Sequence, residues 1–374
     1  MRKRIGFISG LLLFLGLSCV SQQKEKIEAV DVDIPFVLEP VMEYKGILWG
    51  MDFLPDGSML VTDKEGSLIH FKNGKQTLIK NTPEVYLMGQ GGLLDVKIHP
   101  DYEKNAWVYL TYASSDGNED AGNTTLMRGK IVNGNFQDKE LLYKALSNTD
   151  AGQHFGSRIV FDRNGFLYFT VGDRGNRDVN PQNIKRDGGK VYRLNADGSI
   201  PQDNPFINRQ GAKKAIFSLG HRNPQGLALH PETGELWEHE HGPRGGDEIN
   251  IIKKGKNYGW PLATFGINYI GTQITENTSL EGMEDPIHYW TPSIAPCGMA
   301  FVTGNRYPAW KGDLMVGSLS FQYMEHLKLK GKKVISRERL FDGVGRVRNV
   351  KMAPDGFIYI SVEGKGIMKI VPKN

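Results

Sequence analysis

Four separate segments of the sequence place polar side chains immediately ahead of a short apolar run. These side chains are the amide of Gln90, the imidazole of His154, the Arg222–Asn223 pair, and the two guanidinium groups of Arg346 and Arg348. An imidazole has a pKa near neutrality, so it can accept a proton from a hydroxyl group. Guanidinium groups bind carboxylates through paired hydrogen bonds. The guanidinium groups therefore predict a site that holds an anion, and His154 is a candidate for a base beside it.

The three arginines predict the charge of the ligand. Arg346 and Arg348 are two residues apart on an extended segment, so their side chains point to the same face. Burying them with Arg222 in one cavity without counter-charges would be costly, which favours an anionic ligand. The alternative is that these arginines pair with local acidic residues and only hold the structure together. Segments 220–225 and 346–349 contain no acidic residue, and this favours the ligand.

A candidate metal site follows in segment 237–250. His239 and His241 are two residues apart on a predicted strand and could both bind zinc. The Gly242–Pro243 turn could instead offer backbone carbonyl oxygens to calcium, a hard cation. Spacing alone does not choose between the two metals. Asp247 and Glu248 are further candidate ligands, but an acidic pair beside Arg244 is more often a structural ion pair, and this interpretation is preferred.

One pattern recurs along the chain and must position these residues. It consists of an apolar strand, a turn rich in Pro, Asp and Gly, and a second apolar strand, and its six copies lie at 50–61, 93–110, 159–169, 226–237, 298–316 and 350–360. Asp-Gly turns between β-rich runs indicate hairpins. Six such units predict an all-β, six-bladed β-propeller with four-stranded antiparallel blades around a central channel. Tandem β-sandwiches are the rival, but they do not explain one turn motif with similar flanks.

In a propeller, the first strand of each blade lines the central channel. The polar segments ahead of these strands are therefore expected to converge around the axis.

The net charge of the chain does not indicate a binding site for a polyanion such as a nucleic acid. Removing Arg2, Lys3 and Arg4 leaves 43 basic against 42 acidic residues, without a basic block. This composition gives no reason to expect a nucleic-acid partner.

The N-terminus has the pattern of an export signal. A basic start, an apolar stretch from Ile5 to Leu17 and a small residue before Cys19 predict a signal peptide over 1–18. Cys19 is expected to carry a lipid anchor, and the alternative is an ordinary signal peptide with an incidental cysteine. The mature chain then has one further cysteine, Cys297, and no internal disulfide. We expect a tether over 19–40 and one propeller domain over 41–374.

Longer motifs resemble a known family. They are Gly-His-Arg-Asn-Pro-Gln-Gly-Leu at 220–227, Glu-His-Gly-Pro-Arg-Gly-Gly-Asp-Glu-Ile-Asn at 240–250 and Asn-Tyr-Gly-Trp-Pro at 257–261. With further matches at 89–94, 189–201 and 295–300, the chain from about Gly46 onward is similar to the soluble quinoprotein glucose/sorbosone dehydrogenases. Within that family it most resembles the aldose sugar dehydrogenases.

The resemblance implies a fold, a cofactor and a reaction. Its members are six-bladed propellers that bind pyrroloquinoline quinone (PQQ), a tricarboxylate, together with Ca²⁺, and they oxidise the anomeric carbon of aldoses to lactones. By resemblance, Arg222 and Asn223 contact the reactive carbonyl side of the quinone, and Arg346 and Arg348 bind its carboxylates. Gly242 and Pro243 would supply backbone oxygens to the Ca²⁺.

The resemblance also assigns the catalytic and substrate residues. His154 matches the general base, which takes the proton from the C1 hydroxyl while hydride passes from C1 to the quinone. Gln90 and Arg174 are expected to face the sugar, although an ordinary blade turn is the alternative for Arg174. Ser320 stands where the family commonly has a lysine that pairs with a quinone carboxylate, and weaker cofactor binding or a substitute cation would follow. Gln153 replaces the usual Asp or Trp, which leaves substrate preference open.

The sequence therefore predicts an exported, lipid-anchored, PQQ- and Ca²⁺-dependent aldose dehydrogenase of the periplasm or cell envelope. The expected partners are a sugar and an external electron acceptor, with contact to the membrane only through the anchor and a monomer or homodimer as the assembly. One alternative is a non-catalytic propeller that binds a sugar or an acidic ligand. Another is a metal-dependent lactonase, which would need carboxylates lining the axis.

Overall fold

The computed structural model describes residues 27–32, 34–115, 117 and 120–373. The predicted signal peptide over 1–18 and the predicted lipidation site Cys19 lie outside the described residues. Two strands come first, β1 (Ala29–Asp31) and β2 (Phe36–Glu43). Both reach into the stretch 19–40 that the sequence analysis treats as a tether, and the described part of that stretch instead contributes strands to two sheets.

Six antiparallel sheets follow one another along the chain. Blade one contains β3 (Leu48–Phe53), β4 (Met59–Asp63), β5 (Leu68–Lys72) and β6 (Lys75–Ile79). Blade two contains β7 (Leu93–Ile98), β8 (Trp107–Ser114), β9 (Asn123–Val132) and β10 (Asn135–Lys144). Blade three contains β11 (Ile159–Phe161), β12 (Leu167–Val171), β13 (Lys190–Leu194) and β14 (Ile216–Leu219). Blade four contains β15 (Pro224–Leu229), β16 (Leu236–Glu240), β17 (Asp247–Ile252) and β18 (His288–Trp290). Blade five contains β19 (Pro296–Phe301), β20 (Leu314–Ser318), β21 (Met324–Lys330) and β22 (Lys333–Leu340). Blade six contains β23 (Val347–Met352), β24 (Ile358–Val362) and β25 (Gly366–Pro372).

Each recurring sequence unit forms the two inner strands of one blade, as predicted. At the first turn, Gly57 adopts a φ of +81°, which glycine tolerates best, and its N–H bonds to Leu54 O at 2.9 Å. The carboxylate of Asp56 accepts a hydrogen bond from Ser58 N at 3.0 Å. Asp355 and Gly356 repeat this arrangement in the last blade. The Asp-Gly pairs therefore set the hairpins because each residue satisfies one requirement of the turn.

The N-terminal strands close the ring. Strand β2 pairs antiparallel with β25, from Phe36 opposite Pro372 to Glu43 opposite Gly366, and so completes the sixth blade. Strand β1 runs parallel to β22 and gives blade five a fifth strand, which the prediction of uniform four-stranded blades did not include. Because the first and last segments of the chain share one sheet, the propeller is closed by backbone hydrogen bonds as well as by packing.

Apolar side chains fill the six interfaces between neighbouring blades. Separate clusters lie between blades one and two, two and three, three and four, four and five, five and six, and six and one. The structure is nearly all β: within the described ranges the helices are α1 (Tyr102–Asn105) and a 3₁₀ turn (Pro308–Trp310). Neither has the length or the apolar character needed to cross a bilayer.

One guanidinium group connects the innermost strands at the axis. The buried side chain of Arg158 donates to Gln225 O at 2.8 Å and Arg348 O at 2.9 Å, contacts Asp95 Oδ1 at 3.3 Å, and stacks on Trp49 at 4.0 Å. Its Nη2 atom also lies 3.6 Å from the sulfur of Cys297. Through these groups, Arg158 of blade three contacts the inner strands of the other five blades. The channel is therefore blocked at this level.

Candidate active site

Two neighbouring cavities contain the side chains that the sequence analysis selects. The first, called the arginine cavity, has a volume of about 330 Å³ and is lined by residues that include Lys64, Gln90, Asn223, Ser320, Arg346 and Arg348. The second, called the histidine cavity, has a volume of about 250 Å³ and is lined by residues that include His154, Asp173, Arg222, Pro243, Trp260 and Tyr269. The predicted convergence of Gln90, His154, Arg222, Asn223, Ser320, Arg346 and Arg348 therefore occurs in the structure.

The two cavities are linked through backbone and side-chain hydrogen bonds. Gln90 Oε1 in the arginine cavity accepts a hydrogen bond from His154 N at 2.8 Å. Arg222 and Asn223 are consecutive residues, and the side chain of each lines a different cavity. An extended ligand could therefore contact the basic groups of one cavity and the imidazole of the other.

His154 is held by a carboxylate that the sequence analysis did not select. Asp173 Oδ1 lies 2.6 Å from His154 Nδ1, and Asp173 Oδ2 accepts a hydrogen bond from Trp260 Nε1 at 2.8 Å. His154 has a φ of +58°, an unusual value for a non-glycine residue that is enforced here by the segment around it. With Nδ1 directed at the carboxylate, Nε2 is the nitrogen left to accept a proton.

The surroundings favour the neutral imidazole. Burial lowers the pKa of His154 below its usual value of 6.5, the hydrogen bond with Asp173 opposes that shift, and the nearby charge of Arg222 adds to it. Burial alone would raise the pKa of Asp173, but the hydrogen bond and charge of His154 lower it overall. At neutral pH the pair is therefore a carboxylate beside a neutral imidazole that is ready to act as a base.

Arg222 and Asn223 are positioned by the strand that follows them and by its neighbour. Arg222 is buried, and its Nη1 atom donates to His241 O at 3.0 Å and Gly242 O at 2.6 Å. The backbone N–H groups of both residues donate to the carboxylate of Glu240. Arg222 O also accepts a hydrogen bond from Asp173 N at 2.7 Å, so the backbone of the arginine supports the His154–Asp173 pair.

Arg346 and Arg348 point the same way, as predicted, but they are not without a counter-charge. Arg346 Nε donates to Glu363 Oε2 at 2.6 Å, and the Nε and Nη2 atoms of Arg348 donate to Glu363 Oε1. The expectation that no acidic residue neutralises this pair is therefore wrong in part. Glu363 follows β24, the strand that pairs with β23, so it reaches the arginines through the sheet. One net positive charge remains on this group of three.

The Gly242–Pro243 turn is braced by Asp247. Its carboxylate accepts hydrogen bonds from Gly242 N at 2.8 Å, Ser293 Oγ at 2.6 Å and Ala295 N at 2.9 Å. The interpretation of Asp247 as an ion-pair partner of Arg244 is therefore wrong. Burial raises the pKa of Asp247 to about 6, and the three hydrogen bonds limit the rise. The carboxylate fixes the position of the turn whose carbonyl oxygens are the predicted metal ligands.

The zinc alternative is not supported by the two histidines. The Nε2 atom of His239 lies 3.2 Å from Gly298 O, and that of His241 lies 2.8 Å from Pro296 O, so both bind carbonyl groups of blade five. Burial lowers the pKa of His239 to about 3 and that of His241 well below its usual range. Within the part of the chain that the structure describes, the one group of three metal-ligating side chains is His221, Glu238 and Glu240, which includes neither histidine.

Arg174 does not face the histidine cavity. Its side chain is buried, and its guanidinium group donates to Gln153 O, to Ala151 O at 2.6 Å and to Gly122 O at 3.3 Å. It also stacks on Phe155 at 3.4 Å. The structure therefore gives Arg174 the role of holding the segment around His154, and the alternative of a structural blade turn describes it better than a sugar contact. Arg177, three residues later, lines the cavity instead.

The chain also matches a family of known proteins. The family model described as Glucose / Sorbosone dehydrogenase matches residues 46–369. The chain belongs to this family. Among the relatives of this chain is the aldose sugar dehydrogenase YliI of Escherichia coli strain K12, which is 40% identical over 336 residues, or 87% of this chain and 90% of YliI.

Solved structures of aldose sugar dehydrogenases are also similar to this chain. The soluble aldose sugar dehydrogenase of Escherichia coli in the apo-form has a TM-score of 0.87 and 37% identity, over 90% of this chain and 99% of that chain. The PQQ-bound form of aldose sugar dehydrogenase from Streptomyces coelicolor has a TM-score of 0.74 and 26% identity, over 90% of this chain and 97% of that chain. The predictions that the chain belongs to the glucose/sorbosone dehydrogenase family and that it folds as a six-bladed propeller are confirmed.

Proposed function

We propose that this chain binds PQQ and Ca²⁺ and oxidises an aldose at C1 to the lactone, with His154 as the general base. The observation that carries the proposal is the His154–Asp173 pair in the histidine cavity, which neighbours the cationic side chains of the arginine cavity. A neutral, oriented imidazole beside an anion-binding cavity suits the removal of a hydroxyl proton during a redox reaction. A relative solved in its PQQ-bound form supports the choice of cofactor.

The arginine cavity fits a tricarboxylate. Its volume of about 330 Å³ lies within the range of small-molecule sites, which is roughly 300 to 1,000 Å³. Arg346 and Arg348 offer guanidinium groups to carboxylates, and the single carboxylate of Glu363 cancels one of the two charges. Ser320 and Asn223 add neutral hydrogen-bonding groups. Anionic oxygens bound here would replace or share the donors that now contact Glu363.

The Gly242–Pro243 turn fits a calcium ion. Gly242 O accepts one hydrogen bond, from Arg222 Nη1, and Pro243 O accepts one from Ser293 Oγ at 3.3 Å. A carbonyl oxygen has two lone pairs, so each atom can also ligate a cation. Asp247 holds the N–H of Gly242 in place, and this keeps the carbonyl groups of the turn in a fixed orientation. Ca²⁺ held here would polarise a ligand that lies beside Arg222.

The chain itself supplies proton transfer, orientation and charge. His154 Nε2 accepts the proton of the C1 hydroxyl, and Asp173 stabilises the resulting imidazolium through Nδ1. Bound PQQ supplies the two-electron acceptor for the hydride that leaves C1. Arg222 carries a fixed positive charge into the site, which stabilises negative charge that develops during the transfer. Loss of one proton and one hydride converts the C1 hydroxyl of a cyclic aldose to the lactone carbonyl.

The sugar would bind on the more open side, in the histidine cavity. Gln153, Arg177 and Tyr269 line it, and the Tyr269 side chain is 72% exposed. Such a shallow, polar surface suits hydroxyl groups and gives few contacts to the far end of the substrate. We therefore propose that the chain accepts several aldoses and discriminates weakly among them.

Two alternatives remain as outcomes of experiment. Ser320, in place of the family lysine, is the feature that favours a propeller that binds an acidic ligand without turnover. A metal-dependent lactonase is disfavoured because Asp95, at the axis, and Glu363, in the arginine cavity, are both paired with arginines. We also propose export with a lipid on Cys19, which predicts that a Cys19→Ala protein leaves the membrane fraction.

The test is reconstitution of the purified apoprotein with PQQ and Ca²⁺, followed by reduction of an artificial electron acceptor in the presence of a panel of aldoses. The proposal predicts acceptor reduction that depends on both PQQ and an aldose. It also predicts stoichiometric lactone, measured by chromatography. Tight PQQ binding without lactone formation would favour the non-catalytic binder. Absence of PQQ binding would refute the proposal.

A further inference from the structure

Lys64 lines the arginine cavity, although nothing in the sequence pattern selects it. It directly follows β4 of blade one. Arg346 and Arg348 enter the same cavity from blade six, and Ser320 enters from blade five. Because blade six lies between blades five and one, Lys64 and Ser320 flank the arginine pair from opposite sides. The cavity therefore has a cation on the flank opposite the missing lysine.

The backbone of Lys64 is fixed by its neighbours. Lys64 N donates to Ile47 O at 2.9 Å, and Lys64 O accepts a hydrogen bond from Leu93 N at 2.9 Å. Gly92 has a φ of +147°, and a Cβ atom placed on it would lie 2.0 Å from Lys64 O and 2.9 Å from Lys64 Cγ. The absence of a side chain at Gly92 lets the two segments approach this closely. The lysine is thus presented from a constrained position.

The charges of the cavity identify Lys64 as the cation that no carboxylate neutralises. Among the described residues, no carboxylate oxygen lies within ion-pair distance of Lys64 Nζ, whereas Arg346 and Arg348 both pair with Glu363. Apart from His241, which is not counted in this charge balance, the other residues that line the cavity have uncharged side chains. Lys64, Arg346, Arg348 and Glu363 therefore give a net charge of +2, and half of that excess is due to Lys64.

We propose that Lys64 binds a carboxylate of the quinone and compensates for Ser320. The proposal rests on the proposed function, since it assigns a further contact to the same cofactor. The ammonium group is a point charge on a flexible stem, so it can reach a carboxylate from blade one without the geometry of a guanidinium fork. Net attraction for the tricarboxylate is thereby kept, although the blade-five position carries no charge.

A ligand contact and a structural role for Lys64 have different consequences when the lysine is replaced. If Lys64 held the fold together, its replacement would lower the stability of the apoprotein. Lys64 instead adds to an excess of positive charge, so its removal should leave the apoprotein at least as stable. Its loss should appear in the affinity for the cofactor.

The experiment measures PQQ binding to the purified full-length apoprotein by quenching of tryptophan fluorescence at a fixed, saturating concentration of Ca²⁺. The variants are Lys64→Gln, Lys64→Arg, Ser320→Lys and the double variant Lys64→Gln/Ser320→Lys. Lys75→Gln, an exposed lysine on β6 of the same blade, is the matched control. Thermal unfolding of each apoprotein is recorded in parallel.

We expect Lys64→Gln to raise the Kd for PQQ by about tenfold, the size of one charge-assisted hydrogen bond. Lys64→Arg should remain within about threefold of the unmodified protein, and Ser320→Lys should restore affinity in the Lys64→Gln background. Lys75→Gln should change neither affinity nor unfolding temperature. A Kd for Lys64→Gln within twofold of the unmodified protein would overturn the inference while leaving the proposed function intact. A failure of the unmodified protein to bind PQQ would overturn both.

Discussion

Asp173 Oδ1 lies 2.6 Å from His154 Nδ1, and its second oxygen accepts the indole N–H of Trp260 at 2.8 Å. Asp173 Oδ1 also accepts a hydrogen bond from Gly175 N at 2.8 Å, and the carboxylate is buried, so these contacts are protected from water. This arrangement fixes the tautomer and the orientation of the imidazole, and directs Nε2 to the cavity side. The first prediction follows from this relationship.

Asp173→Asn should lower kcat by about 10³-fold, because the imidazole loses the carboxylate that orients it and stabilises its protonated form. A base works only above its pKa, so activity should fall as pH decreases through the pKa of His154. Asp173 raises that pKa against the effect of burial, and its loss should therefore move the acidic limb of the kcat/KM profile to lower pH.

The matched variant is Trp260→Phe, which keeps the carboxylate and removes one of its hydrogen-bond donors. Its effect on kcat should be smaller, at about tenfold. If the Asp173→Asn profile keeps its acidic limb at the original pH, Asp173 has a structural role and does not tune the base.

Arg174→Met should destabilise the fold. The change leaves the carbonyl groups of Gln153 and Ala151 without their donor, removes the contact with Gly122 O and removes the stacking on Phe155. The expected cost is about 2 to 3 kcal/mol, which corresponds to a decrease of about 3 to 4 °C in Tm for a chain of this size. Differential scanning calorimetry of the apoprotein measures it.

The comparison for Arg174 is Arg177→Met, three residues further on. The Arg177 side chain is 36% exposed and lines the histidine cavity, so its replacement should change Tm by less than about 1 °C. An Arg174→Met protein with an unchanged Tm and a greatly increased KM for the sugar would reinstate the substrate role that the sequence suggested.

Asp247→Asn should weaken the response to calcium. The carboxylate accepts the N–H groups of both Gly242 and Ala295, and an amide would have to direct its NH₂ group at one of them. Loss of such support for a metal ligand costs about tenfold or more in metal affinity. The Ca²⁺ concentration for half-maximal reconstitution should therefore rise by about tenfold, and an unchanged value would show that Asp247 does not support the metal site.

Asp52 should make unfolding sensitive to acid. It is buried, and Lys97 Nζ at 2.8 Å and Lys351 Nζ at 3.1 Å surround it. Burial alone would raise its pKa, but the two ammonium groups lower it to about 2. The pKa of an aspartate in the unfolded chain is about 3.9, so the ion pairs of Asp52 contribute about 2 to 3 kcal/mol above that pH. This contribution is lost as pH falls through 2.

Urea unfolding of Asp52→Asn tests this assignment. At pH 6 the variant should be about 3 kcal/mol less stable, since two partly buried ammonium groups lose their counter-charge. At pH 3 the difference in the free energy of unfolding should be smaller by about 1 kcal/mol, because the carboxylate of the unfolded chain is already largely protonated. A difference that is equal at both pH values would exclude the low pKa.

The sequence predicts the blades because each turn carries its own local signal. Asp56 with Gly57 and Asp355 with Gly356 form turns that depend on residues close in the chain. The closure of the ring has no such signal. Strand β2 pairs with β25 more than 300 residues later, and only the complete ring brings the two edges together. This is why the N-terminal stretch was predicted to be a tether.

The same distinction between local and distant contacts explains which residues of the site the sequence predicts and which it misses. The common orientation of Arg346 and Arg348 follows from the strand period, and the structure confirms it. Glu363 was missed because it reaches these residues across the hairpin. Lys64 was missed because it enters from a different blade. Arg174 has the residue type of a ligand contact, but its position beside Asp173 turns it toward backbone carbonyl groups.

The most direct test of the central claim is the single-turnover reduction of bound PQQ by glucose, followed by stopped-flow absorbance, in the unmodified protein and in His154→Gln. Both proteins should bind PQQ with Kd values within about threefold. The account predicts that His154→Gln reduces the bound quinone at least 100-fold more slowly, and that glucose deuterated at C1 slows reduction by the unmodified protein. Equal reduction rates in the two proteins, at equal PQQ occupancy, would contradict it.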